Sequence, residues 1–198
     1  MAKIIEYFFS IGSPWSFIGL DAFITLADRE GAEIKPFLAT VVEENGGIYS
    51  RNRPEPRRLY WMRDLERWSR VRGKTLKLAD RPTLSDATPA SLMVIAAHLD
   101  GLSWVTLTNA LQNAFWCEAA DIGKPEIRQA IADAAGFDGA RLLQREIDDD
   151  VTSKWAADRE HALQSGVFGF PTYRFDGELY WGQDSLPFLE RHLRGDKP

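Results

Sequence analysis

The segment Gly12-Ser13-Pro14-Trp15-Ser16 places a hydroxyl directly before a proline, at the head of an apolar pattern with helical spacing. Proline is favoured at the first helical position and serine at the cap before it, so Ser13 stands at a helix N-terminus. Its plainest role there is to cap. A helix start also carries unsatisfied amides and a partial positive charge of roughly half a unit, which makes it a site for an anion. A thiolate is one such anion. Lowering a thiol from ~8.5 to ~6.5 takes about 2.7 kcal/mol. A hydrogen bond to a charged group supplies ~1.5 to 3 kcal/mol and a favourable helix terminus up to ~2. The sulfur would have to come from outside, because the chain has one cysteine, Cys117, in AFWCEAAD, a context that reads as a small buried hydrophobe on a helix. One cysteine permits neither an internal disulfide nor a CxxC metal or dithiol motif. His98, His161 and His192 lack metal-ligand spacing, so no metal is expected.

A second loop, Gly166-Val167-Phe168-Gly169-Phe170-Pro171-Thr172, ends in a proline at the entry to a β-prone run. The elements that must position the two loops follow from periodicity. A buried strand is expected over 4–9, a helix from Pro14 to near Gly31, and a strand over 34–39, which together make a right-handed βαβ unit. Helical patterns follow at 59–72, 90–99, 104–120, 125–135, 139–149 and 151–164. Strands at 172–175 and 178–181 flank Asp176-Gly177, a two-residue hairpin signal, and a last helix over 185–193 follows Asp184. The α/β reading is thus a thioredoxin fold, with a large all-helical domain inserted between its βαβ and ββα halves. Residues 1–45 and 160–198 form the thioredoxin-like domain, residues 46–159 the inserted domain, and the active site is expected in the cleft between them. In such a fold the loops 10–16 and 166–172 meet, and the bond before Pro171 is expected to be cis, turning the backbone of Phe170 toward the first loop.

Composition limits the remaining possibilities. The 198 residues are 44% hydrophobic, enough for a substantial core, and the net charge of −5 argues against a nucleic-acid footprint. The basic cluster at 51–58 contains two prolines and Glu55 and reads first as a solvated loop. The apolar run 4–9, interrupted by Glu6, is too short for a secretory segment. No run approaches the roughly 18 apolar residues of a membrane span, so a reduced, cytoplasmic setting without a membrane partner is expected.

The segments GSPWSF, GVFGFPT and WGQD, in that order, with NGGIYSRN at 45–52 and RLYWMRDLERW at 58–68, resemble the 2-hydroxychromene-2-carboxylate isomerases and the related kappa-class glutathione transferases. Both are DsbA-like thioredoxin-fold families, and the resemblance covers nearly the whole chain. It implies glutathione as cofactor, with Ser13 at its sulfur, Phe170 and Pro171 along its cysteinyl backbone, Gln183 and Asp184 at its γ-glutamyl end and Asn52 nearby. It further implies a small aromatic substrate in a pocket containing Trp15, Ser16, Arg57 and Tyr60, with Arg58 an alternative to Arg57, and a homodimeric assembly. The reaction it implies is cis-trans isomerisation of an aromatic enone acid by a Ser13-stabilised thiolate. Rivals are a kappa-like transferase, in which glutathione stays attached, and a non-catalytic binding module. Two departures stand out. Ser10 occupies a position where the family often has aspartate, and Phe170 is bulkier than the usual valine or leucine and is expected to narrow the site. Most of the other aromatic residues are expected in cores.

Overall fold

The computed structural model describes residues 2–79 and 86–197. Strand β1 (Lys3–Phe9) reads KIIEYFF because it lies at the centre of a sheet covered on both faces. Tyr7 stacks on Phe9 and Tyr173 and meets Phe23 of the first helix. Phe8 points to the opposite face, against Phe37 and the His161 ring. Helix α1 (Pro14–Glu30) ends where Gly31 adopts φ 62°, and its amide closes the last turn onto Ala27 and Asp28. β2 (Ala32–Leu38) then pairs in parallel with β1, from Lys3 opposite Ala32 to Phe9 opposite Leu38. β3 (Thr172–Phe175) runs antiparallel to β1, and β4 (Glu178–Trp181) antiparallel to β3. Asp176 and Gly177 turn the hairpin with φ 48° and 83°, the pair of positive angles that a type I′ turn needs. The order β2-β1-β3-β4 is the thioredoxin sheet.

Helices α2 (Glu55–Val71), α3 (Thr88–Leu99), α4 (Trp104–Cys117), α5 (Pro125–Ala134), α6 (Gly139–Arg145) and α7 (Asp149–Gln164) occupy the middle of the chain, and α8 (Leu186–Leu193) follows the hairpin. The largest departures from the expected boundaries are three. α2 begins four residues before 59, because Pro54 and Pro56 occupy the cap and first turn, where no amide is needed. α4 stops at Cys117 instead of 120, and Ala119 beyond it sits at φ 59°. The break before α7 falls at 146–148, where Arg145 binds Asp148 and Asp150.

The chain forms two compact units, Met1–Lys74 with Arg159–Pro198, and Thr75–Asp158. Residues 46–74, expected in the helical insertion, belong to the first unit. The end of α2 is stitched there: Arg72 reaches Gln183, and Lys74 pairs with Asp21 at 2.6 Å while lying over the Phe17 ring. Within the second unit a bidentate Arg128–Glu146 pair is buried between α5 and the end of α6. Burial raises the Glu146 pKa, and the arginine opposes that rise. Among the described residues no helix is long and apolar enough to cross a membrane.

Candidate functional site

Ser13 caps α1 from extended backbone at φ −92°, ψ 117°, and its Oγ accepts the Ser16 amide at 3.2 Å. The Ser13 amide donates to the Ser10 carbonyl, and the Phe17 amide to the Ser13 carbonyl. Capping is therefore real. It uses the hydroxyl as an acceptor and leaves its proton to act elsewhere. That proton is donated to the Phe170 carbonyl at 3.1 Å, across 157 residues of chain. For O–H···O this is long, so the bond is a weak one. Ser13 itself is half-buried, with Gly12 exposed beside it.

The Phe170–Pro171 bond is cis, as expected for a thioredoxin sheet. What holds this second loop is a set of contacts from the residues after β2. The Asn45 amide donates to the carbonyls of Leu163 and Val167, both at 2.9 Å. Gly47 lies so close that a Cβ there would be 2.3 Å from the Phe168 carbonyl oxygen and 2.6 Å from that of Val42. The Phe170 side chain packs into a buried cluster with Phe8, Ala39, Val42, Ala162 and Val167. Its bulk points into the core, so the expectation that it narrows the site is corrected: only its backbone faces Ser13.

The third piece is the turn Gln183–Ser185. The Gly182 amide donates to the Pro171 carbonyl at 2.9 Å, fastening this turn to the cis proline. Gly182 has φ 87°, a conformation that favours glycine, and a Cβ there would be 2.4 Å from Asp184 Oδ1 and would displace that carboxylate. Asp184 is exposed and free to meet a cation. Gln183 is not. Its side chain is fully buried, with Oε1 accepting from Arg72 Nε at 2.9 Å. Gln183, expected with Asp184 at the γ-glutamyl end of the cofactor, has its side chain turned inward and anchors the turn that carries Asp184.

Of the residues expected to line a substrate pocket, Trp15 is half-buried, and Arg57 and Tyr60 are exposed on α2. Ser16 is fully buried, beside the Tyr7 hydroxyl. It faces the sheet, which corrects the expectation that its side chain lines the substrate pocket. Burial pushes the Tyr7 hydroxyl's pKa far up and keeps it neutral, although the Ser16 contact opposes the rise. Asn52 is exposed at the end of a short 3-10 turn, Ser50–Asn52. Among the described residues no hydrogen bond ties Asn52, Arg57 or Tyr60 to the Ser13–Pro171 pair, and all of these candidates lie in the first unit. Cys117, expected as a buried hydrophobe, is half-buried, with its Sγ 2.9 Å from the Thr75 carbonyl oxygen. Asn45, Gly47 and Arg72 were not singled out by sequence. The Asn-Gly-Gly run was the available signal for the first two.

A parallel βαβ unit joined to a ββα unit, with a helix start facing a cis proline, defines a fold class, and the profile of the DsbA-like thioredoxin domain matches residues 4–194. The chain belongs to the DsbA-like thioredoxin family. Within that family it is 27% identical over 197 residues to a 2-hydroxychromene-2-carboxylate isomerase of Sphingobium xenophagum, covering 98% of this chain and 99% of the relative. The solved structure of a 2-hydroxychromene-2-carboxylate isomerase superposes with a TM-score of 0.78 at 22% identity, over 97% of this chain and 95% of that one. A cytosolic disulfide reductase, DsbM of Pseudomonas aeruginosa, solved with GSH, superposes with a TM-score of 0.68 at 20% identity, over 96% and 99% of the two chains. Proteins named for disulfide reduction and for isomerisation thus share this fold. This member offers a hydroxyl at the start of α1.

Proposed function

We propose that this chain is a glutathione-dependent isomerase acting on 2-hydroxychromene-2-carboxylate or a similar aromatic enone acid. The observation that carries the reading is the approach of the Ser13 hydroxyl to the carbonyl before cis-Pro171, at the half-open start of α1. End-to-end similarity to a curated isomerase supports the reaction class. The GSH named with DsbM supports the class of thiol.

The residues present suit that cofactor. Ser13 offers a proton now held only by a weak neutral bond, and Asp184 offers an exposed carboxylate on a turn fixed to Pro171. When bound, glutathione supplies a thiolate that adds reversibly to an electron-poor double bond and so lets it rotate. Ser13 turns its O–H from the Phe170 carbonyl to the sulfur, exchanging a neutral hydrogen bond for a charge-assisted one. The Phe170 carbonyl, released by that turn, is left to accept from the cysteinyl amide. The start of α1 favours negative charge at the same point without any general base. Asp184 receives the γ-glutamyl ammonium. Trp15, Tyr60 and Arg57 offer two aromatic faces and a cation for an aromatic acid.

Stoichiometry tests the reading. The purified chain should interconvert the geometric isomers of such an acid only when glutathione is added, and glutathione should be recovered unchanged after many turnovers. Loss of glutathione mole for mole with product would show a transferase and end the isomerase assignment.

A further inference from the structure

We propose that Arg72 is a positioning residue for the cofactor, holding the turn that presents Asp184; this rests on the function proposed above. Two polar contacts bear on how the turn Gln183–Ser185 is held. One is the Gly182 amide on the Pro171 carbonyl, at 2.9 Å. The other is Arg72, whose Nε donates to Gln183 Oε1 at 2.9 Å and whose terminal nitrogen lies 3.4 Å from the Gln183 main-chain oxygen. A planar guanidinium can fork onto both oxygens of one residue, whereas an ammonium is a single point. The other end of the Gln183 amide, Nε2, is buried with no partner, so Arg72 is the sole polar hold on that side chain among the described residues. Sterics fix the opposite side. A Cβ on Gly19 of α1 would come within 2.4 Å of Gln183 Cβ, so the turn has no room to shift toward that helix.

Arg72 is itself well placed to act as a fixed point. Its guanidinium lies 5.6 Å from the Trp68 ring centre, and two residues on, Lys74 pairs with Asp21 of α1. Arg72 and Asp184 act on the buried Tyr173 hydroxyl in opposite electrostatic senses, which puts both charges within reach of one core group. The same helix carries Arg57 and Tyr60 at its other end. Arg72 therefore links the helix offering a substrate surface to the turn whose Asp184 carboxylate is offered to the cofactor's ammonium.

The test compares two thiols that differ at one end. Glutathione carries the γ-glutamyl group; cysteinylglycine has the same cysteinyl thiol without it. Dissociation constants for both are measured by calorimetry on the whole wild-type chain, Arg72→Met and Arg72→Lys. Arg72→Met should weaken glutathione about tenfold, the scale of one hydrogen bond to a charged group, and cysteinylglycine less than about twofold. Arg72→Lys should fall between, at about threefold, because one point donor replaces the fork. Equal weakening of both thiols means Arg72 only supports the fold and overturns the proposal, as does unchanged glutathione binding. Should Arg72→Met fail to fold, Arg72→Lys decides by the same criterion. A wild-type chain that does not bind glutathione overturns both this inference and the function beneath it, whereas an indifferent Arg72 variant overturns this inference alone.

Discussion

Replacing Ser13 by alanine should raise the pH at which a bound glutathione thiol ionises by about one unit, and the structure sets the size of that shift. A hydroxyl donating to a thiolate contributes ~1.5 to 3 kcal/mol. Ser13 must first release the Phe170 carbonyl, a 3.1 Å neutral bond, the kind that contributes ~0.5 to 1.5 kcal/mol. The difference, matching the low ends and the high ends of the two ranges, is ~1 to 1.5 kcal/mol and corresponds to ~0.7 to 1.1 pH units at 1.36 kcal/mol per unit. The variant keeps the start of α1, so the thiol should still ionise below its free value of ~8.5. Alanine also leaves the Ser16 amide without its 3.2 Å acceptor. Loss of such a cap costs about 1 kcal/mol, a fall in Tm of about 2 to 4 °C for a chain of this size. Thiolate absorbance near ~240 nm, read as a difference spectrum against pH on wild type, Ser13→Ala and Ser13→Thr, separates the two effects. Threonine keeps the hydroxyl and should titrate close to wild type. Because the bound thiol ionises at lower pH than the free one, binding releases a proton, and affinity should rise with pH until free glutathione itself ionises. If wild type and Ser13→Ala hold a thiol that titrates at the same pH, the electrostatic role given to Ser13 is wrong.

Three further changes test the framework around it. Asp184→Asn should weaken glutathione about tenfold by calorimetry, while leaving cysteinylglycine and the melting temperature nearly unchanged, since the carboxylate is exposed. Gly47→Ala would push a methyl group against two backbone carbonyls, at 2.3 and 2.6 Å, neither of which is a flexible side chain. It should lower the urea midpoint by the equivalent of about 1 to 3 kcal/mol and slow turnover by displacing the loop before Pro171. Glu30 accepts from Arg194, with Lys3 and Arg29 nearby, and these partners hold its pKa below the ordinary 4.5. A carboxylate with a depressed folded pKa stabilises above its unfolded pKa, and that contribution is lost as pH falls through the folded value. Glu30→Gln should therefore destabilise the chain at pH 7, and the difference from wild type should shrink as pH falls through the depressed folded value; denaturant melts whose difference stays constant across the acid range would contradict this.

Features fixed by residues a few positions apart were legible in the sequence. Ser13-Pro14, Gly31 and Asp176-Gly177 each state their own geometry, and the structure has a cap, a helix end and a type I′ turn at those places. Pro54 and Pro56 misled because prolines before a helix and prolines inside a loop look alike until the first amides are counted. Side-chain direction was partly recoverable. Ser16 shares the helical face of Leu20 and Phe23, four and seven residues on, which by itself argues that it points into the sheet, and all three are buried.

The remainder depended on contacts no local pattern encodes. Arg72 meets Gln183 across 111 positions, and Asn45 meets Leu163 and Val167 across 118 and 122. Both are polar side chains satisfying oxygens in the first unit, and neither would be needed if the loops they hold were free to move. Ser13 can exchange one weak acceptor for a charged one only if the Phe170 carbonyl stays in place while the hydroxyl turns. Asn45 and Gly47 keep that loop in place from one side, and the Gly182 bond to Pro171 from the other. The chemistry assigned to Ser13 is accordingly a property of the braced loop as much as of the helix start, since a hydroxyl facing a mobile carbonyl would follow it instead of turning to a sulfur.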